Sequence, residues 1–125
     1  MADWKKTAKA FLLADGAIDG REVAVLRKEM FADGKVDDIE LDFLFELRRD
    51  AKSVVPDFHF LMIESIKSCC LDGDAIKAGS ASTLRRWLLA GKVGYVEKRY
   101  LDELRAAAKT APPDFEQLHR QIAAS

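Results

Sequence analysis

The stretch Asp15-Gly16-Ala17-Ile18-Asp19-Gly20-Arg21-Glu22 decides how this chain begins to fold, and it recurs as Asp33-Gly34-Lys35-Val36-Asp37-Asp38-Ile39-Glu40. The shared pattern is Asp-Gly-x-(Ile/Val)-Asp-x-x-Glu. A glycine can adopt the left-handed conformation that ends a helix. An aspartate with a glutamate three residues later forms a capping box at the start of the next helix. Each copy therefore predicts a helix, a tight turn and a second helix, with Asp19 and Asp37 as N-caps and Glu22 and Glu40 as their partners.

Apolar residues recur at helical spacing along most of the chain, and no segment alternates convincingly enough to predict a strand. Ser80 or Ser82 is the expected N-cap of the fifth helix. We expect an all-α fold, a compact bundle of about seven helices. The expected helices cover residues of about 4–14, 20–32, 38–53, 56–70, 82–90, 95–110 and 114–123.

The second half of the chain repeats the first. When the sequence is shifted by 57 residues without gaps, 18 of 54 aligned pairs are identical, whereas chance would give about one in fifteen. The repeated words include Gly34-Lys35-Val36 and Pro56-Asp57-Phe58, which return as Gly91-Lys92-Val93 and Pro113-Asp114-Phe115. We therefore expect one domain over residues 1–125, made of a repeat at about 15–68 and another at about 72–125.

Length and charge restrict the function further. A chain of 125 residues suits one domain. Its net charge of −1 lacks the excess of Lys and Arg that neutralises phosphates, so a nucleic-acid partner is not expected. The apolar runs are too short to cross a bilayer, and the N-terminal residues make a poor signal peptide. We expect a cytoplasmic protein.

The chain contains little that resembles catalytic equipment. His59 and His119 both fall on predicted helices, and neither accompanies a nucleophile elbow, a phosphate loop or a His-Glu-x-x-His pattern. Cys69 and Cys70 are adjacent, which suits neither a disulfide nor a Cys-x-x-Cys site. Buried thiols are the expected interpretation, and capture of a soft metalloid is the alternative. We expect no enzyme and no cofactor.

The acidic turns leave two interpretations open. Their second halves match a calcium-binding loop in spacing, but Phe11 and Leu13 occupy two ligand positions in the first turn, and Phe31 occupies one in the second. Helix capping explains the same aspartates and glutamates without a metal. Two turns that meet at one end of a bundle could still pool their carboxylates around a divalent cation.

The segment from Leu12 to Glu22, and the return of Asp-Gly at residues 72–73 after a long apolar helix, resemble the TerB-like (tellurite-resistance protein B) family over about residues 5–110. The resemblance implies a compact helical bundle in the bacterial cytoplasm, linked to metalloid and general chemical stress. It also implies action through partner proteins, often near membranes, and divalent metal at the acidic turns. Carried over to this chain, the acidic positions are Asp15, Asp19, Glu22, Asp33, Asp37, Glu40 and Asp72.

The second half departs from this acidic pattern. Ile76 and Gly79 stand where the first half has Asp19 and Glu22, and Gly94 stands where it has Asp37. Metal binding in the second half is therefore in doubt. The preferred hypothesis is a non-catalytic protein-interaction module, and the alternative is a divalent-metal binding or sensing domain.

Overall fold

A computed structural model of the chain describes residues 16–32, 34–89 and 94–124. These ranges are mostly helical, as the sequence predicts, and the helix expected at about 4–14 lies outside them. The described helices are α1 (Gly20–Met30), α2 (Asp38–Asp50), α3 (Pro56–Cys70), α4 (Ser80–Leu88), α5 (Tyr95–Ala106) and α6 (Pro113–Ala123).

The expectation of no strands was wrong, because four two-residue strands lie next to the turns. Strands β1 (Ala17–Ile18) and β2 (Ser53–Val54) pair in parallel, whereas β3 (Leu71–Asp72) and β4 (Ala75–Ile76) form an antiparallel hairpin. Segments of two residues are too short to show the alternation that identifies a strand in a sequence. They pair because backbone N–H and C=O groups beside a buried core need partners.

The chain divides into two compact units, one ending at Ser65 and the other beginning at Ile66, so the boundary lies within α3. In the first unit α1 buries the stripe of Val23, Leu26 and Met30. Burial of an aliphatic side chain of this size contributes about 1.5–3 kcal/mol relative to exposure. Each unit has its own apolar interior, and the largest side chains buried there are Phe58, Leu44, Leu47 and Leu61 in the first unit and Tyr100, Phe115, Leu101 and Leu118 in the second.

One backbone connection occurs in both units. In the first, the N–H groups of Lys52 and Ser53 donate to the carbonyl oxygen of Gly16 over 2.6 and 3.3 Å. In the second, the N–H groups of Lys109 and Thr110 donate to the carbonyl oxygen of Asp74 over 2.6 and 3.4 Å. The same segment therefore closes against the first turn in each unit.

The equivalent turn positions are not at the spacing that the ungapped sequence comparison expects. Lys52 and Lys109 are 57 residues apart, but the acceptors Gly16 and Asp74 are 58 apart. Helices α1 and α4 follow the longer spacing, since the buried residues of α1 fall 58 residues before Ala81, Leu84 and Leu88 of α4.

A side-chain contact between helices follows the same relationship. Arg27 of α1 forms a hydrogen-bonded ion pair with Glu64 of α3. In the second unit Nη1 of Arg85 donates to Oε1 of Gln121 over 3.0 Å, which joins α4 to α6 in the same way. The two units thus share helix order, a backbone connection and a side-chain contact.

Candidate functional site

The first acidic turn forms the capping box that the sequence predicts. The N–H of Glu22 donates to Oδ1 of Asp19 over 2.9 Å, and the N–H of Asp19 donates to Oε1 of Glu22 over 3.0 Å. Asp19 is the N-cap of α1, so both side chains satisfy backbone groups that a helix start leaves without partners. Gly16 at the preceding turn has φ 80°, the left-handed conformation expected of it.

The second acidic turn repeats this geometry. The N–H of Glu40 donates to Oδ1 of Asp37 over 2.8 Å, and the N–H of Asp37 donates to Oε1 of Glu40 over 3.1 Å. Ile18 and Val36, the residues before the two capping aspartates, are both buried. The predicted capping roles of both aspartates and both glutamates are therefore confirmed.

The second unit keeps only part of this arrangement. At α5 the N–H of Gly94 donates to Oε1 of Glu97 over 2.7 Å, so the glutamate half of the box remains where the aspartate has been replaced. At α4 the N-cap is Gly79, with φ 89° and no side chain to cap the helix. The expectation that Ser80 or Ser82 caps this helix was wrong, because the left-handed glycine turns the chain into the helix one residue earlier.

The predicted acidic residues are only partly brought together. Asp19 and Glu22 form one capping pair, Asp37 and Glu40 form another, and Asp72 lies on β3 with its side chain exposed. Asp15 and Asp33 lie outside the described residues. Within residues 16–32, 34–89 and 94–124, no group of three or more His, Cys, Asp or Glu side chains is arranged to hold a metal ion.

The two histidines make packing and polar contacts with their neighbours. The Nε2 atom of His119 lies 2.8 Å from Oδ1 of Asp102, which joins α6 to α5. The His119 ring stacks on Phe115 with 6.1 Å between ring centroids. His59 meets Phe58 edge to face. No local motif indicates Asp102 as the partner of His119, since it lies 17 residues away in sequence.

Both cysteines are thiols in the protein interior, as predicted. Cys69 and Cys70 are the last two residues of α3, and both are buried. The carbonyl oxygen of Cys70 accepts the N–H of Lys77, which closes the hairpin of β3 and β4. The thiols therefore belong to the packing at the end of this helix.

Four large apolar residues lie at the surface, and no sequence motif selected them as functional. Exposure is 61% for Val25, 66% for Ile39, 47% for Phe60 and 78% for Tyr95. The available signal was their position off the buried helical stripes. Val25, for example, precedes the buried Leu26 and lies outside the series of Val23, Leu26 and Met30.

No protein-family model, curated protein or solved structure matches this chain. Among the described helices, none has the length and apolar character needed to cross a membrane. The capping boxes and the exposed apolar side chains are thus the features from which a function has to be inferred.

Proposed function

We propose that this chain is a non-catalytic protein-interaction domain of the TerB-like type. The observation that carries the proposal is the use of Asp19 and Asp37 in capping boxes, which gives the acidic motif a structural role. Exposed Val25 and Ile39 supply apolar surface on the two helices that these boxes begin. The sequence resemblance supports a place in the bacterial cytoplasm, in the response to tellurite or other chemical stress.

The shared geometry of the two units supports an origin by internal duplication. Helix order, the backbone closure onto Gly16 or Asp74, and the contacts of Arg27 and Arg85 all recur. We propose that one residue was inserted before α4 after the duplication, which explains the change of spacing from 57 to 58. A helix at about 4–14 would bring the total to seven.

A divalent-metal domain is the competing proposal. Each capping aspartate uses Oδ1 in its box, so Oδ2 of Asp19 and of Asp37 lies outside the box and could face a cation. The candidate ligands are Asp15, Asp19, Glu22, Asp33, Asp37, Glu40 and Asp72. Calcium takes six to eight oxygens, so a site would need several of these side chains at once.

Two measurements on the full chain separate these proposals. Calorimetry against calcium, magnesium and zinc should give no saturable heat if the acidic residues only cap helices. Cross-linking in the source cells, with the chain at its native level, should recover the same partner protein reproducibly. Saturable calcium binding that is lost in Asp19→Asn/Asp37→Asn, with no partner recovered, would overturn the interaction proposal in favour of the metal one.

A further inference from the structure

The outward face of α1 carries four exposed side chains that surround one depression. They are Arg21, Ala24, Val25 and Lys28, at positions i, i+3, i+4 and i+7. Four residues at this spacing form the hole that accepts a side chain from a facing helix. Here the two middle positions are apolar and the two ends are cationic. The ends are about 10 Å apart along the axis, from a rise of about 1.5 Å per residue.

The two cations are not used within the described part of the chain. Neither Arg21 nor Lys28 makes an ion pair or a side-chain hydrogen bond there, whereas Arg27 on the same helix is paired with Glu64. The exposed carboxylate of α1 is Glu29, which follows Lys28 and is displaced from it by about 100° around the helix. The depression is therefore bordered by positive charge at both ends.

The fold does not require this combination of residues. At the spacing that relates α1 to α4, the corresponding positions in the second unit are Gly79, Ser82, Thr83 and Arg86. The middle pair is thus polar there, and one cation is missing. The guanidinium of Arg86 lies 5.8 Å from the centre of the Trp87 ring, so this cation already has a neighbour.

We infer that this face of α1, defined by Arg21, Ala24, Val25 and Lys28, docks an acidic amphipathic helix of the partner protein. An apolar side chain of that helix enters between Ala24 and Val25, and carboxylates one turn to either side of it reach the two cations. The pocket suits one side chain, whereas binding in a membrane interface needs a larger apolar face. The inference rests on the proposed interaction function and names the surface and partner chemistry for it.

A nuclear magnetic resonance titration of the full chain tests the inference with defined probes. The first probe is an alanine-rich helical peptide with one leucine and a glutamate one turn before and after it. The second carries lysines in place of the glutamates, and the third is a phosphatidylglycerol vesicle. The glutamate peptide should give saturable shifts centred on the amides of residues 21–28.

Charge reversal supplies the matched variants. Arg21→Glu/Lys28→Glu should weaken binding of the glutamate peptide by at least about tenfold, corresponding to about 1.4 kcal/mol, and should favour the lysine peptide instead. Thr83→Glu/Arg86→Glu changes the equivalent face of the second unit and should leave binding unchanged. Circular dichroism of both variants verifies that helix content is retained.

Several results would overturn the inference. They are no saturable shift with the glutamate peptide, an equal response to the lysine peptide, or a response to the vesicle alone. A partner recovered by cross-linking that still binds Arg21→Glu/Lys28→Glu with unchanged affinity would also exclude this face, while the general interaction function stands. Failure to recover any partner would instead count against the proposed function itself.

Discussion

The side chain of Lys52 lies over the space that a side chain at Gly16 would occupy, and the Lys52 N–H donates a 2.6 Å hydrogen bond to the Gly16 carbonyl. A Cβ at position 16 would lie 2.9 Å from Cδ of Lys52. Gly16 also has φ 80°, a conformation that side chains disfavour. The turn therefore needs glycine both for its backbone and for its neighbour.

Replacement of two glycines separates these causes. Gly34 has φ 81°, and nothing lies within 4 Å of the position that a Cβ would take there, so Gly34→Ala should lower the free energy of unfolding by about 1–2 kcal/mol. Gly16→Ala should cost about 1 kcal/mol more, because Lys52 has to move. Urea denaturation measures both losses. In a Lys52→Ala background the excess should disappear, and equal losses in the two single variants would refute the steric contribution.

The capping boxes make a prediction that distinguishes side-chain shape from charge. Asp19→Ala and Asp37→Ala should each lower the free energy of unfolding by about 0.5–2 kcal/mol, whereas asparagine should retain most of the stability. Asparagine keeps the oxygen that accepts the helix N–H. Thermal melts with calcium and with chelator provide the measurement, and Asp38→Asn serves as a control for charge loss beside a cap. A calcium-dependent rise in wild-type melting temperature that the asparagine variants lose would contradict a purely structural role.

Burial of the vicinal thiols predicts both their cost of removal and their reactivity. Cys69→Ala/Cys70→Ala should lower the free energy of unfolding by about 1–3 kcal/mol in total, because packing is lost at the end of α3. A thiol reagent should label the folded wild type much more slowly than the chain in denaturant. Rapid labelling of both thiols in the folded protein would show that the interior there is open.

Ser65 predicts a gain in stability. Its side chain is fully buried, and within the described part of the chain its Oγ has no hydrogen-bond partner. A buried polar group left without a partner costs about 1–3 kcal/mol, so Ser65→Ala should raise the free energy of unfolding by about 1 kcal/mol. Chemical denaturation provides the measurement. Ser68→Ala, at a half-buried serine that does have a partner, is the control and should give no gain.

The features that the sequence predicted well are the local ones. Asp19 with Glu22, and Asp37 with Glu40, lie three residues apart, so the pattern contains both halves of each interaction. Helix positions follow from apolar spacing for the same reason. The burial of the adjacent cysteines likewise followed from the apolar helix that carries them.

The features that the sequence missed depend on residues far apart in the chain. The pairing of β1 with β2 joins Ala17 to Ser53, and no two-residue pattern encodes it. The added residue before α4 is hidden because Asp-Gly at 72–73 aligns with the first turn by identity, whereas Asp74 accepts the equivalent hydrogen bonds. The exposure of Val25 likewise depends on which face of α1 the rest of its unit covers.

The boundary between the two units, inside α3 between Ser65 and Ile66, has a consequence for how the protein can be divided. A fragment ending at Ser65 keeps ten residues of this helix, and isolated helices shorter than about 12 residues are marginal in water. A fragment that starts at Ile66 inherits only its last turn. On the proposed duplication, the segment that was copied as a gene and the segment that can fold alone are therefore different pieces of this chain.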